Sequence, residues 1–253
     1  MSIRDNIRKT ESWDASHRGW PLPKIPWTMK QVWNSVLFAH YPVDPVKLKK
    51  LMPEQLPLDT FNGMAWVGIV PFYITGLRGR GIPQIPGTNR FPELNVRTYV
   101  TIDGKPGIYF FSLDAMNSLA VQVARTFLHL PYVYADMSVK EDGFLVEYES
   151  KRKSKLEPKL VCSYKPVSES YYPAKGSFVE WMAERYCLYT VDDKGKILRG
   201  EILHPPWLLH DAQANFYLNT MLSKQGIEVE NDEAILHFSQ RKEVKIWPFI
   251  KED

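Results

Sequence analysis

The sequence predicts an α+β fold in which antiparallel strands, joined by short turns, outnumber helices about three to one. Short stretches alternate apolar and polar residues, which is the period of a β-strand. Asn-Gly and Asp-Gly pairs lie between several of these stretches and favour tight turns. The 253 residues include 19 prolines, more than the usual share of roughly 5%, and this favours short elements over long helices.

An extended N-terminal arm is the first predicted segment. Residues 1–30 are polar and then rich in Trp and Pro, without a period, so we expect them to lie extended over a domain formed by residues 31–253. A strand is predicted over 31–41. Asp44 and Pro45 are typical of an N-cap and a first helical residue, and they predict a short helix that ends before Pro53.

A hairpin and a long loop follow. Asn62 and Gly63 predict a turn between strands over 56–60 and 65–74. Residues 76–91 contain four glycines and two prolines, and this composition predicts a loop that crosses the surface.

The clearest hairpin joins strands over 93–102 and 108–113. Side chains alternate between the two faces of a strand, so four of them share one face of the first strand. These four residues are Glu93, Asn95, Arg97 and Tyr99.

The remaining elements are read in the same way. A capping box at Ser177 and Glu180 predicts a helix to about residue 185, and Pro131 ends an earlier helix that begins near residue 117. Residues 211–224 are predicted to form a fourth helix. The other predicted strands are 132–139, 144–150, 160–167, 186–191, 197–203, 234–239 and 244–249.

Composition argues against several classes of function. With 32 Lys and Arg against 29 Asp and Glu, no generalised phosphate-binding surface is implied, so we expect no nucleic-acid partner. The longest apolar stretch without a charge, residues 63–77, is shorter than the roughly 20 residues of a spanning helix, so no membrane partner is expected. Two cysteines suggest no disulfide framework, and the N-terminus lacks an apolar signal region, so we expect a cytoplasmic location.

The common signatures of cofactor and metal sites are missing. The sequence has no Gly-x-Gly-x-x-Gly, P-loop, Gly-x-Ser-x-Gly, His-Glu-x-x-His or Cys-x-x-Cys motif. We therefore expect neither a cofactor nor a metal. His204, His210 and Asp211 could supply a metal-ligand set, but Pro205 and Pro206 intervene, so separate structural roles are favoured.

Glu93, Asn95 and Arg97 are candidate site residues because charged side chains on a buried face must be paired or used. One interpretation is a buried ion pair. The other is an anion-binding pocket, because the helix before Pro131 carries Arg125 off its apolar stripe and leads directly into Tyr132.

Five ordered segments resemble the YqjF-like proteins, the uncharacterised domain family DUF2071: residues 91–99, 107–114, 129–132, 184–186 and 204–207. The match runs from about Trp33 to Trp207. This family is grouped with the acetoacetate decarboxylase-like superfamily, so the resemblance implies a strongly curved antiparallel β-sheet or barrel around a central pocket, with a few short helices, in a single domain.

The resemblance also implies which residues matter. In acetoacetate decarboxylases a lysine pair, the first of which is the Schiff-base nucleophile, follows the helix. Tyr132 and Val133 stand at that place here, so Schiff-base decarboxylation is not expected. Glu93 matches the acidic residue that positions substrate, and Arg125 matches the helix arginine. None of four other lysines takes over the role: Lys24, Lys105, Lys165 and Lys175.

The leading functional hypothesis is a site for a small organic carboxylate or carbonyl compound. Arg97 and Arg125 would hold anionic oxygens, Glu93 and Tyr132 would transfer protons, and the other binding residues would be Asn95, His204 and Trp207. An enzyme of this kind would be a lyase, hydratase or isomerase without a cofactor.

Two alternatives stay open. One is a non-catalytic binding or sensing protein. The other is a buried ion-pair network without a ligand, formed by Glu93, Arg97, Glu184 and Arg185. A homo-oligomer is also left open.

Overall fold

The computed structural model describes residues 14–83, 89–116, 129–153 and 157–252. These residues form twelve strands, two short helices and one 3-10 turn (Ser223–Gln225). The helices are α1 (Pro45–Lys49) and α2 (Phe178–Ala183). The strands are β1 (Met29–Val43), β2 (Ala65–Gly79), β3 (Arg90–Ile102), β4 (Lys105–Ala115), β5 (Tyr132–Asp142), β6 (Leu145–Arg152), β7 (Lys159–Pro166), β8 (Cys187–Val191), β9 (Ile197–Leu203), β10 (His210–Asn219), β11 (Ile235–Ile246) and β12 (Ile250–Lys251).

Five strands form a shared sheet in the order β11-β1-β2-β3-β4. Each outer strand of this sheet has two further partners. The strand β4 pairs in parallel with β8 near Ile108 and with β5 near Leu113. On the opposite side, β11 pairs with β10 near Phe238 and with β9 near Lys245.

These further strands close the shared sheet into two rings, one on each of its faces. Strands β5, β6, β7 and β10 complete a nine-strand mixed barrel, and β8 and β9 complete a ring of seven strands. The predicted curved sheet or barrel with few short helices is confirmed, and the pairings of β4 with β5 and β8 are its parallel exceptions.

Both faces of the shared sheet are buried. Because successive side chains of a strand point to opposite faces, neighbouring residues pack into different cores. On the nine-strand side, Leu94 and Val96 pack with Tyr148 and Tyr164. On the seven-strand side, Tyr99 packs in one cluster with residues such as Phe38, Val70, Phe72 and Trp207. The predicted division of β3 into two faces is therefore confirmed.

Several predicted elements need correction. Residues 210–219 form β10 rather than a helix, because Ala212, Ala214 and Phe216 alternate onto the core of the nine-strand side. The last predicted strand pair is one continuous strand, β11. Residues 56–60 form no strand and contribute one isolated bridge, from Leu58 to Val100.

The predicted loop over 76–91 is shorter than expected. Pairing with Met29 and Lys30 extends β2 to Gly79, and β3 already begins at Arg90. The helix predicted from about residue 117 falls on residues 117–128, which lie outside the described residues.

The described part of the N-terminal arm follows the surface near β9. Arg18 forms an ion pair with Glu201, and the Trp20 indole donates to the same carboxylate at 3.0 Å. His17 Nε2 lies 2.9 Å from the carbonyl oxygen of His204. The division into an arm over 1–30 and a domain over 31–253 stays a prediction. Within the described chain, neither helix is long or apolar enough to cross a membrane.

Candidate functional site

The polar row on β3 lies on the seven-strand side of the shared sheet. Glu93, Asn95 and Arg97 are 6%, 7% and 6% exposed, and Tyr99 is fully buried. Antiparallel pairing with β2 sets Phe72 beside Glu93 and Gly68 beside Arg97. On β2, the neighbour of the row therefore changes from an aromatic side chain at Glu93 to a glycine at Arg97.

Glu93 and Tyr132 meet as the sequence predicts. Parallel pairing of β4 with β5 places Tyr132 beside Leu113, and Leu113 in turn pairs with Asn95. The Tyr132 hydroxyl donates to Glu93 Oε2 at 3.2 Å. Burial raises the pKa of Glu93 to about 7, although hydrogen bonds from Tyr132 and Asn95 oppose that shift. A carboxyl group with such a pKa can both accept and donate a proton near neutral pH.

Arg97 carries a buried charge without a carboxylate partner. Among the described residues it forms no ion pair, and its Nε has no hydrogen-bond partner. Its guanidinium lies 5.2 Å from the centre of the Phe38 ring. Asn95 Oδ1, two residues away, is also buried without a partner.

His40 belongs to the same region, and the sequence prediction missed it. It lies in β1, is fully buried and pairs with Gly68. Its Nε2 forms a hydrogen bond with the Tyr99 hydroxyl, while its Nδ1 has no partner among the described residues. Burial lowers the pKa of His40 well below the ordinary range, and Arg97 adds to that shift, so the imidazole is neutral.

The predicted ion-pair network of Glu93, Arg97, Glu184 and Arg185 is wrong. Arg185 pairs with Asp59 at 2.7 Å and lies over the Trp181 ring. Glu184 accepts hydrogen bonds from the Trp207 backbone N–H and the Tyr186 hydroxyl. The segment before β2, through Asp59, and the loop after β9, through the Trp207 backbone, therefore supply separate partners for Arg185 and Glu184, and Glu93 and Arg97 take no part in these pairs.

Of the two residues predicted from the loop after β9, Trp207 is connected to the polar row through Phe38. Its ring meets Phe38 edge-on at 4.9 Å, and Phe38 lies against Arg97. His204 instead stacks on Tyr186 at 4.7 Å, and its Nδ1 lies 2.9 Å from the Pro205 carbonyl oxygen. Burial lowers the pKa of His204 to about 3, so this imidazole is neutral.

One lysine on β11 is desolvated, and the sequence prediction did not consider it. Lys242 is 5% exposed, and its Nζ donates to the carbonyl oxygens of Pro205 at 3.3 Å and Pro206 at 2.6 Å. It also lies 5.0 Å from the centre of the Trp207 ring. Burial lowers the pKa of Lys242 to about 8. Its hydrogen bonds hold the loop that carries Trp207.

The remaining predicted site features lie outside the described residues or away from the polar row. Arg125 lies outside the described residues. Cavities of about 480 Å³ beside Glu141 and about 430 Å³ beside Arg185 are not lined by the β3 polar row or by Tyr132, so the central pocket stays a prediction.

No group of three or more His, Cys, Asp or Glu side chains in the described ranges could hold a metal ion. His210 Nδ1 lies 2.8 Å from the Ser168 carbonyl oxygen, apart from His204.

Comparison with known sequences relates this chain to uncharacterised proteins. Residues 30–243 match the model of DUF2071, described as an uncharacterized conserved protein. The uncharacterized protein YqjF of Bacillus subtilis (strain 168) is 48% identical over 230 residues, which cover 91% of this chain and 95% of that protein.

Solved structures share the fold at low sequence identity. The enduracididine biosynthesis enzyme MppR complexed with pyruvate has a TM-score of 0.61 and 10% identity, over 90% of this chain and 91% of that one. Acetoacetate decarboxylase from Legionella pneumophila has a TM-score of 0.60 and 11% identity, over 93% of both chains. These similarities confirm the acetoacetate decarboxylase-like fold.

Proposed function

Because the chain belongs to the DUF2071 family and has an acetoacetate decarboxylase-like fold, we propose that it binds a small organic carboxylate or carbonyl compound at the polar row of β3. The observation that carries this proposal is the hydrogen bond between Glu93 and Tyr132 on the same strand face as the unpaired Arg97. A fold neighbour has been solved with pyruvate bound, which makes pyruvate the first ligand to test.

Proton transfer beside a carbonyl group is the chemistry that these residues support. The Glu93 carboxylate takes a proton from the carbon next to the ligand's carbonyl group, and the C–H electron pair moves toward the carbonyl oxygen. Arg97 attracts the anionic oxygens, and the Tyr132 hydroxyl holds the carboxyl group in place. Return of the proton regenerates the ligand. Lyases, hydratases and isomerases can all begin with this step.

Exchange of pyruvate methyl protons with D₂O, followed by NMR, tests the proposal. We expect exchange above the buffer rate, and a loss of roughly 10²-fold or more in Glu93→Gln, because the carboxyl group is the proton carrier. Tyr132→Phe should lose less, since it removes only a supporting hydrogen bond. Glu228→Gln changes an exposed carboxylate and serves as the matched control. Equal exchange in Glu93→Gln and wild type would show that Glu93 is not the base.

A non-catalytic binding protein is the second candidate. It is favoured by Tyr132 and Val133, which stand where the resemblance places the decarboxylase lysines, and by the unpaired groups of Asn95 and Arg97. A ligand that co-purifies with the chain and stays unchanged on incubation would support this candidate. Pyruvate that binds without any methyl exchange would support it as well.

Other expectations from the sequence are part of the same proposal. Arg125 as a second anion-binding residue, His204 as a ligand contact, a cytoplasmic location, the absence of a nucleic-acid partner and the oligomeric state stay predictions.

A further inference from the structure

The cavity beside Glu141 lies apart from the β3 polar row and has a lining of its own. Its volume is about 480 Å³, which is within the roughly 300–1,000 Å³ of small-molecule sites. Strands β1, β2, β5 and β11 and the turn between β5 and β6 all contribute to its wall. Most of the lining side chains are polar, and Phe144 and Phe238 add two aromatic rings.

Three strands of the shared sheet hold the Glu141 carboxylate. Its Oε1 accepts a hydrogen bond from the Ser35 hydroxyl, and its Oε2 accepts from the Tyr73 hydroxyl at 3.0 Å and from Arg90 at 2.9 Å. A carboxylate has about four acceptor positions, so one of them, on Oε1, has no donor among the described residues. The carboxylate is therefore fixed in orientation and can still accept one hydrogen bond from a ligand.

The backbone of Ser35 is strained at this place. Its φ is 49°, in the left-handed region that a serine rarely adopts. Of the five non-glycine residues with a positive φ in the described chain, only Ser35 lies inside a strand. The register of β1 on β2 shifts between Asn34 and Ala39, and bulges of this kind often redirect a side chain beside a binding site.

Both charged side chains of the lining already have a partner of opposite charge. Glu141 pairs with Arg90 at 2.9 Å, and Arg241 pairs with Glu243 at 2.7 Å. The wall of the cavity therefore offers no net charge to an ionic ligand. Because electrostatic complementarity favours a partner of opposite charge, a neutral wall is best suited to a neutral ligand.

Two amide side chains of the lining have unused hydrogen-bonding groups. The Gln240 amide forms no hydrogen bond with any described residue. Asn34 uses its N–H groups on β1 and β2, but no described residue donates to its Oδ1. These groups include both donors and acceptors. A hydroxyl group also donates and accepts, so a compound with several hydroxyl groups could bond to all of them.

Phe144 provides an apolar surface beside these polar groups. It follows Gly143 in the turn between β5 and β6, and it is 60% exposed. Its ring packs on no other aromatic ring of the described chain. The face of an aromatic ring is negative and attracts C–H groups, which carry a small positive charge. One face of a sugar ring consists of such C–H groups.

We propose that this cavity is a second binding site, for a neutral compound with several hydroxyl groups and the size of a monosaccharide. Glu141 and Gln240 form hydrogen bonds with its hydroxyl groups, and the Phe144 ring covers its apolar face. Ser35 and Tyr73 are positioning residues, because they hold the carboxylate of Glu141. This site does not depend on the proposed function of the β3 row.

Ligand-observed NMR titrations with D-glucose, D-galactose and D-mannose test the site. We expect the wild type to bind at least one of them. D-Glucuronate and D-glucosamine carry one negative or one positive charge, and neither should bind more tightly than the best neutral sugar. Tenfold tighter binding of either charged compound would overturn the assignment of a neutral ligand.

Two exposed side chains of the cavity can be removed with little risk to the fold. Phe144→Ala should weaken sugar binding roughly tenfold or more, because it removes the apolar surface. Gln240→Ala should weaken it about threefold to tenfold, because it removes hydrogen bonds. Tyr172→Ala and Gln213→Ala change exposed side chains outside the cavity and should bind like wild type. The thermal midpoint of each variant checks that it is folded.

The same titrations distinguish this site from the β3 row. Arg97→Met should bind the sugar like wild type, because Arg97 does not line the cavity. Loss of sugar binding in Arg97→Met would assign the sugar to the β3 row and overturn the second site. No binding of any of the three sugars by the wild type, or wild-type affinity in Phe144→Ala, would overturn it as well.

Discussion

Two buried charge clusters occupy opposite faces of the same sheet. On the nine-strand side, Asp114 pairs with Arg152 at 2.7 Å and also accepts from Ser150 at 3.2 Å. On the seven-strand side, one residue away in the β3–β4 register, Glu93 and Arg97 form no ion pair with each other. Both faces are buried equally well, so burial alone does not explain the difference.

The contrast separates a structural cluster from a candidate binding site. In the Asp114 cluster, the carboxylate and guanidinium satisfy each other, which is how a protein tolerates a buried charge. In the β3 row, one donor, Arg97 Nε, and one acceptor, Asn95 Oδ1, have no partner among the described residues, and a ligand could supply both. Stability should therefore depend on the first cluster, and ligand binding on the second.

The largest expected effect comes from exchanging an arginine on each face for methionine. Arg152→Met leaves Asp114 buried without its partner and should reduce the free energy of unfolding by about 3–5 kcal/mol. Arg97→Met removes an unpaired buried charge and should change it by less than about 1 kcal/mol, while pyruvate binding is lost. Urea unfolding measures both. If Arg97→Met reduced the free energy of unfolding as much as Arg152→Met does, the distinction between the two faces would be contradicted.

The β3 row should make its own contribution to the pH dependence of stability. Burial raises the pKa of Glu93 from an ordinary 4.5 to about 7, so the folded chain keeps this proton where the unfolded chain releases it. At this group the folded state then binds more protons, so the contribution of Glu93 to the free energy of unfolding falls by roughly 3 kcal/mol as pH rises from about 4.5 to about 7. The buried imidazoles of His40 and His204, whose pKa values are lowered, contribute in the opposite direction below about pH 6.5.

Glu93→Gln should remove this contribution, so the free energy of unfolding of the wild type should fall relative to that of the variant as pH rises from 4.5 to 8. Urea unfolding at pH 4.5, 6 and 8 is the measurement, with Glu228→Gln as the control for an exposed carboxylate. A Glu93→Gln variant with the same pH profile as the wild type would mean that Glu93 ionises at an ordinary pKa.

Lys242 tests a third way of accommodating a buried charge, through backbone carbonyl groups. Lys242→Met leaves the Pro206 carbonyl oxygen without its donor and should cost about 1–3 kcal/mol in urea unfolding. Because both hydrogen bonds hold the ammonium group, we expect borohydride to trap no pyruvate adduct on this lysine. An adduct on Lys242, found by peptide mass spectrometry, would reveal Schiff-base chemistry at a new position.

The smallest effect is expected for Tyr148, because its side chain contacts the β3 row only through a backbone carbonyl oxygen. Its hydroxyl donates to the Glu93 carbonyl oxygen at 2.7 Å from the nine-strand side. Tyr148→Phe should lower the free energy of unfolding by about 1 kcal/mol and leave pyruvate binding within about threefold. A loss of binding as large as that of Arg97→Met would show that the backbone of β3 positions the site.

Much of this arrangement could be predicted from local sequence. Alternation along β3 separates Glu93 and Arg97 from Leu94 and Val96 without any tertiary information. His40 was missed because the residues around it give no clean period. Lys242 was missed because its neighbours Arg241 and Glu243 are charged and suggest an exposed segment.

Pairing between distant residues could not be predicted. Asp59 neutralises Arg185 from a position 126 residues away, and no local pattern connects the two. The same holds for Gly68, where a Cβ atom would contact His40 only because β1 pairs with β2. The strand β10 was misread as a helix because its residues alternate through small alanines, which carry little strand signal of their own.

A crystal structure of the protein with pyruvate tests the central claim most directly. We predict the carboxylate within hydrogen-bonding distance of Arg97, with the methyl carbon toward Glu93. Pyruvate bound elsewhere, or a β3 row in which Arg97 is paired with another protein group, would contradict the assignment of this face as the ligand site.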